Sequence, residues 1–414
     1  MQKISFPRMA ALNAYWLGVS FMWSALHPLL LPAIMLNYVP DAQKNTWLGM
    51  LTFAGLIVAG LVQPLAGAIS DGWRSRWGRR RPLILIGTLF DFVFLSLLAW
   101  GGGILWLVIG YIGLQLSSNF AHGSAQGLLP DRVPVRQMGV ASGLKTFFDM
   151  TALIIASLAA GRLLDADGKN PGPVVIAIAI ALTLGLLVTI FGTPEEPTDT
   201  TSMQGKKRNL WKFWRSVFSV DLSVNRAYWW LIVQRFLFLI GVYGLQAFIQ
   251  YYLRDVLRVA NPVQQTGDLL AALTLALVAL ALAGGWLSDR FGPKRMLSIA
   301  GYLAAVGFIL LMLARTPTML GIYGIVIGAG IGLFMTANWA LANRLAPSAE
   351  AGKFLGLTNL ATAGAGALAR LEGPLVDVLN AAFPSTWAGY RFLFIFGAIC
   401  ALMSVVVLKR VKLD

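Results

Sequence analysis

Charge is what this sequence has least of. Lysine, arginine, aspartate and glutamate together make up 12% of its 414 residues, where a soluble globular chain carries about 25%. A net charge of +15 would otherwise suggest nucleic acid. Binding of that kind needs a charged exterior with many phosphate-neutralising side chains on one face, and this chain lacks one. Cysteine is nearly absent too. Cys400 stands alone inside an apolar run, which excludes an intrachain disulfide and a Cys/His zinc site. Histidine occurs twice, as His27 and His122. No Gly-x-x-x-x-Gly-Lys loop is present, so ATP is excluded as an energy source. No nucleophile–base constellation appears, so no enzyme is expected, and neither metal nor cofactor.

What the sequence does have is oil. Hydrophobic residues make up 57% of it, and twelve runs reach the roughly 20 mostly apolar residues that a spanning helix needs. They lie at about 11–36, 47–70, 83–100, 103–129, 138–163, 172–192, 227–252, 267–287, 296–313, 318–343, 353–375 and 389–408. Helices are forced, because backbone polar groups in hydrocarbon need partners within the segment. A β-barrel would show short alternating segments instead. The expected fold is therefore an all-α polytopic membrane protein of twelve transmembrane helices. The N-terminal stretch MQKISFPRMAALNAYW shows no small-residue cleavage pattern and reads as the start of the first span.

The basic residues collect at boundaries. Connections on one side hold 23 lysines and arginines and those on the other hold eight, with Lys145 and Arg235 inside spans. The positive-inside rule makes the richer side, and both termini, cytoplasmic. Five arginines crowd into SDGWRSRWGRRRP alone. A polar, then basic, then aromatic stretch at 193–226 reads as a cytoplasmic linker between halves at 1–192 and 227–414. Within it, KKRNLWKFWRSVF suits either an interfacial helix or a basic tether.

The halves repeat. GAISDGWRSRWGRRR precedes the third span and GGWLSDRFGPKR precedes the ninth. The pattern resembles the signature loop of the major facilitator superfamily. The longer first copy is similar to that of glycoside–cation symporters and sucrose-type (SLC45-like) proton symporters, as are GVSFMWSALHPLLLP and LVQPLAGAISD. The resemblance implies two pseudo-symmetric six-helix halves working by alternating access. It assigns a cytoplasmic gate to Asp71, Arg76, Gly78 and Arg79, with Asp289 and Arg290 as a second copy. Arg80 and Arg81 suit either that gate or lipid headgroups. Melibiose-type symporters hold sodium with two aspartates late in the second span. Here Ala59 and Gln63 stand in those places, which disfavours sodium and leaves the proton as coupling ion. The arginine of sucrose-type proteins near the end of the fourth span is matched by Gln126.

Ionisable groups inside a span are functional candidates because they are costly there. Lys145 and Asp149 share a helix face at i, i+4 and can pair. Asp149, with Lys145, is the first candidate for proton coupling, and Asp91 is the second. Gln115, Asn119, His122 and Gln126 form one stripe on the fourth span, and Tyr243, Gln246 and Gln250 another on the seventh. Trp23 and His27 on the first span, with Asn338 and Trp339 on the tenth, complete the cavity candidates. In the family these four spans line the cavity, near the midplane between halves. Gln and Asn at such sites also serve as interhelical hydrogen-bond partners. The expected function is proton-coupled symport of a small polar organic solute, a sugar or glycoside, by a monomer in a bacterial inner membrane, with lipid and solute as its partners. Export of an amphipathic drug or lipid-like molecule is one alternative. A non-transporting receptor or assembly factor on the same fold is the other.

Overall fold

A computed structural model describes residues 3–193, 226–346 and 351–411, the side chains of residues 135 and 351–353 excepted. The linker, including its candidate interfacial helix, lies outside the described residues. The helices are α1 (Phe6–Met35), α2 (Lys44–Gly72), α3 (Arg81–Trp100), α4 (Ile104–Gln126), α5 (Met138–Leu163) and α6 (Gly172–Gly192). There follow α7 (Arg226–Asp255), α8 (Pro262–Phe291), α9 (Pro293–Leu313), α10 (Pro317–Leu345), α11 (Ala351–Ala369, resumed as Glu372–Ala382) and α12 (Ala388–Leu408). Among the described residues, eleven are uninterrupted helices long and apolar enough to cross a membrane. The expected eleventh run is the exception. Its helix closes in tight turns, with Arg370 N–H bonded to the Ala367 carbonyl and Leu371 N–H to that of Leu368. It restarts two residues before Pro374, whose missing N–H is tolerated in a first turn.

α1 contains one departure from α-helical winding. Leu26–Leu30 forms a π-helical turn around Pro28, and Leu31 N–H reaches back to the Leu26 carbonyl. Proline removes a donor from the ladder, and the wider turn restores the register beyond it.

The chain divides into two compact units, Met1–Val39 with Ala54–Arg208, and Pro40–Phe53 with Asn209–Asp414. In the first, α1 packs on α5 and α6, and α3 packs on α4 and α6. In the second, α7 packs on α11 and α12, and α9 packs on α10 and α12. The second set is the first advanced by six helices, so the repeat seen in the two loop motifs extends to packing within each unit. Small residues allow the close crossings that helix association in lipid relies on. A Cβ at Gly123 would overlap the Gln63 carbonyl oxygen on α2, and one at Gly241 would lie 2.7 Å from Gly397 Cα on α12. Buried aromatics fill the second unit, with Phe238 stacked on Phe334 at 3.8 Å. Large side chains such as Phe191 and Leu282 stay exposed, as a lipid-facing surface requires.

Candidate functional site

The polar stripe of α1 organises the first unit. Trp16, Ser20, Trp23 and His27 fall at i, i+4, i+7 and i+11 and so share one face. Its two ends meet two different groups.

At the His27 end, Trp23 stacks on the imidazole with ring centroids 4.8 Å apart. His27 Nε2 lies 2.9 Å from the Tyr111 hydroxyl, which also accepts a hydrogen bond from Gln115 Nε2 at 2.7 Å. Asn119 then donates to the Gln115 side-chain oxygen at 3.0 Å. His27 lies within the π-helical turn Leu26–Leu30. Four of the sequence candidates (Trp23, His27, Gln115 and Asn119) are thus joined through Tyr111. Sequence reasoning missed Tyr111, although it stands four residues before Gln115 on the same stripe.

At the other end, Ser20 donates to Asp149 Oδ1 at 2.6 Å, and Lys145 donates to Asp149 Oδ2 at 2.8 Å. The ammonium of Lys145 sits 4.1 Å from the centre of the Trp16 ring, and His122 meets that ring edge-on at 4.6 Å. Lys145 and Asp149 side chains are 31% and 23% exposed, so the pair is neither fully buried nor free in solvent. Trp16, the hub of this group, precedes Ser20 by one turn and was also missed. Gln126 does not join its stripe. It is exposed at the last residue of α4.

Asp91 lies apart from Asp149. It is fully buried and accepts from Ser117 at 2.5 Å, while its Oδ2 has no partner among the described residues.

The arginine-rich loop brings Asp71 and Arg79 of the set assigned by resemblance into one cluster, with Arg80 at its middle. Gly78 takes φ +90°, a conformation that suits glycine, and turns the chain into α3. The side chain that this turn sends inward is Arg80, only 4% exposed. It donates to Asp71 at 2.5 Å, to Asp131 at 3.0 Å and to Ser70. Arg79 also pairs with Asp131, and Arg81 reaches the Ile190 carbonyl. Arg76, one of the four residues assigned to the gate by resemblance, is exposed. Asp131 was missed because it follows α4, far from the motif in sequence. The second copy is not assembled this way. Asp289 and Arg290 are exposed and form no ion pair among the described residues, and Arg290 lies against Trp286 at 5.3 Å.

In the second unit, Asn338 is buried and links two neighbours on α7. Its side-chain oxygen accepts from Arg235 at 2.5 Å, and its amide donates to Gln234 at 3.1 Å. Arg235 also donates to Thr362 at 2.8 Å, and its guanidinium lies 5.2 Å from the Trp339 ring centre. Asn338 and Trp339 were expected at a site. Arg235 was a candidate only as an ionisable residue inside a span, and Gln234 and Thr362 were not expected. Tyr243 lies further along α7 beside Gly366. Gln246 is partly buried and Gln250 is buried.

A second polar cluster in this unit involves residues 40–53. Asp377 accepts from Thr46 N–H at 2.6 Å and from Asn45 at 2.7 Å, which caps the first turn of α2. Lys44 pairs with Asp255 at 2.7 Å, Tyr390 donates to Asp255 at 2.6 Å, and Arg254 pairs with Asp41.

Comparison with known proteins gives the family. The sequence model of the Major Facilitator Superfamily matches residues 15–369. The chain is 23% identical over 330 residues to multidrug resistance protein MdtG of Escherichia coli strain K12, covering 78% of this chain and 76% of that one. Among solved structures, a bacterial homologue of the human lysosomal transporter Spinster, inward-facing and occupied, superposes with a TM-score of 0.73 at 16% identity. That match covers 97% of this chain and 95% of the other. A D-xylose–proton symporter gives 0.74 at 14% identity, over 97% and 96%. At these identities the structural likeness speaks to the fold.

Proposed function

The chain belongs to the Major Facilitator Superfamily and is a multi-pass membrane transporter, and on that premise we propose that it carries a small polar organic solute, a sugar or glycoside, in symport with protons. The observation that carries this reading is the Lys145–Asp149 pair, held by Ser20 and Trp16 on the same stripe of α1 that bears Trp23 and His27. The pair sets an ammonium and a carboxylate, 31% and 23% exposed, beside that aromatic face. The aromatic face and the chain of hydroxyl and amide groups one to three turns along suit a polyol. Sodium is the weaker choice, with Ala59 and Gln63 in place of carboxylates on α2.

The protein is proposed to act as a monomer, with both termini on the cytoplasmic face of a bacterial inner membrane. The Arg80–Asp71–Asp131 cluster is then the cytoplasmic gate. No cofactor, enzymatic step or nucleic acid enters this scheme.

One observation favours a second reading. MdtG is named for multidrug resistance, and Trp16 and Trp23 could accept an amphipathic molecule that is exported. Uptake into proteoliposomes separates the two. A panel of sugars and glycosides, and a parallel panel of lipophilic cations, is offered with an imposed pH gradient and an internal pH dye. With the proton-rich side outside, sugar-dependent acidification of the lumen supports symport. Proton movement with the cations alone transfers the function to drug export.

A further inference from the structure

Arg235 is a charge without a countercharge. It is 2% exposed, on α7 about 13 Å in from the first residue of that helix. Arginine keeps its proton in any protein environment, so this side chain is a cation at all working pH values. Its hydrogen-bond partners, Asn338 and Thr362, are neutral, as is the Trp339 ring beside it. Among the described residues it forms no ion pair, and its Nη2 makes no hydrogen bond.

No carboxylate among the described residues pairs with Arg235, although Glu372 Oε1 is itself buried without a hydrogen-bond partner. Asp255 holds Lys44 and Tyr390, and Asp377 holds Asn45 and Thr46. Glu372 packs its carboxylate against Gly244, nine residues beyond Arg235 on α7. A second donor lies close by. Gln234 is fully buried, its oxygen is taken by Asn338, and its Nε2 has no acceptor among the described residues.

A buried cation without a partner is strongly unfavourable, and so is a buried amide without an acceptor. Both deficits sit on adjacent residues, and an acceptor carrying one negative charge would relieve both. We propose that the transported solute bears a carboxylate, that Arg235 receives it through the guanidinium edge, and that Gln234 and Asn338 flank it. The proposal rests on the sugar-symport reading and narrows it to sugar acids such as aldonates and uronates. A single guanidinium with neutral neighbours matches a monoanion. A phosphate monoester near its second ionisation would call for a further cation.

The test is direct binding to the full-length protein in detergent, read by ligand-dependent thermal stabilisation and by equilibrium dialysis of labelled ligand. The probes are glucuronate, gluconate, glucose, methyl glucoside and glucose 6-phosphate, against wild type, Arg235→Gln and Arg235→Lys. The expected result is that the two acids bind wild type at least about tenfold more tightly than the neutral sugars. Arg235→Gln should lose about a hundredfold for the acids and little for the neutral sugars, and Arg235→Lys should lose about tenfold for the acids. If Arg235→Gln does not fold, the ligand series on wild type and the lysine variant decide the matter. Equal binding of acids and neutral sugars, or preference for the phosphate ester, overturns the carboxylate assignment and leaves sugar transport standing. Acid binding that is unchanged in Arg235→Gln overturns the role of Arg235. Failure of every sugar in the panel overturns this inference together with the symport reading beneath it.

Discussion

Consider removing each half of the Lys145–Asp149 pair in turn and then both. Two unit charges about 3 Å apart attract by about 5 kcal/mol at an effective dielectric of about 20, before desolvation is subtracted. What survives depends on exposure. A fully exposed pair nets about 0–1 kcal/mol, and breaking one side of a fully buried pair costs about 3–5 kcal/mol. With the two side chains 31% and 23% exposed, the expected cost of Asp149→Asn or Lys145→Met alone lies between, at about 1–3 kcal/mol. The costs are unequal. Lys145 without Asp149 keeps its contact with Trp16, and Asp149 without Lys145 keeps the Ser20 hydroxyl. The double variant should cost less than the sum of the singles, with a coupling energy of about 1–2 kcal/mol. Thermal unfolding in detergent measures this part. Transport measures the rest. If Asp149 carries the proton, Asp149→Asn abolishes accumulation driven by a pH gradient and leaves solute exchange intact. The double variant then behaves like Asp149→Asn. Gradient-driven accumulation restored in the double variant would refute the reasoning, because it would show a static strut whose charge balance matters and whose titration does not.

Three further predictions concern the framework. Arg80→Lys should fail where Arg76→Ala is silent, because no ammonium can reach Asp71, Asp131 and Ser70 together. A loss of about 3 kcal/mol or more in the first and within about 0.5 kcal/mol in the second is expected, read by thermal unfolding alongside transport rate. Gly123→Val should abolish recovery of folded protein from membranes, since even a Cβ there overlaps the Gln63 carbonyl. Gly143→Ala on α5, where a Cβ meets open space, should be neutral or stabilise by about 0.5–1 kcal/mol in the same assay. Asp377→Ala should cost about 1–3 kcal/mol through loss of the cap on α2, and Asp377→Asn should recover part of it by keeping one acceptor for Thr46 N–H. An asparagine variant no better than alanine in thermal unfolding would show that charge, and not the cap, is what matters there.

The helices were legible because hydrocarbon thickness imposes a length and a composition that leave few alternatives. The first, fifth and sixth spans illustrate this, with C-terminal limits at Met35, Leu163 and Gly192 against expected ends at 36, 163 and 192. The broken α11 was not legible in the same way. Its apolar run continues through Arg370, and hydropathy does not register that Gly373 and Pro374 restart the helix. The arginine loop shows a different limit. Five arginines within eight residues are equivalent by composition. Which one turns inward depends on the positive φ of Gly78 and on the start of α3 at Arg81, which together leave Arg80 facing the aspartates. The family pattern drew attention to this loop and named Asp71, Arg76, Gly78 and Arg79 together, of which Arg76 is exposed.

Spacing along one helix can report partners only when both stand on that helix. Lys145 and Asp149 were recognisable as a pair for this reason, and so was the run of Gln115 and Asn119. Asp91 and Ser117 come from different helices, and Asp71 and Asp131 reach Arg80 from different ends of the sequence. Arg235 is the limiting case. Its partners stand 103 and 127 residues away, and its meaning lies in a partner that the unit does not supply. A charged residue in an apolar run announces that something must neutralise or accommodate it. Only the assembled neighbours show whether the protein does so itself, as it does for Asp149 and Arg80, or leaves the charge to be met by what it carries.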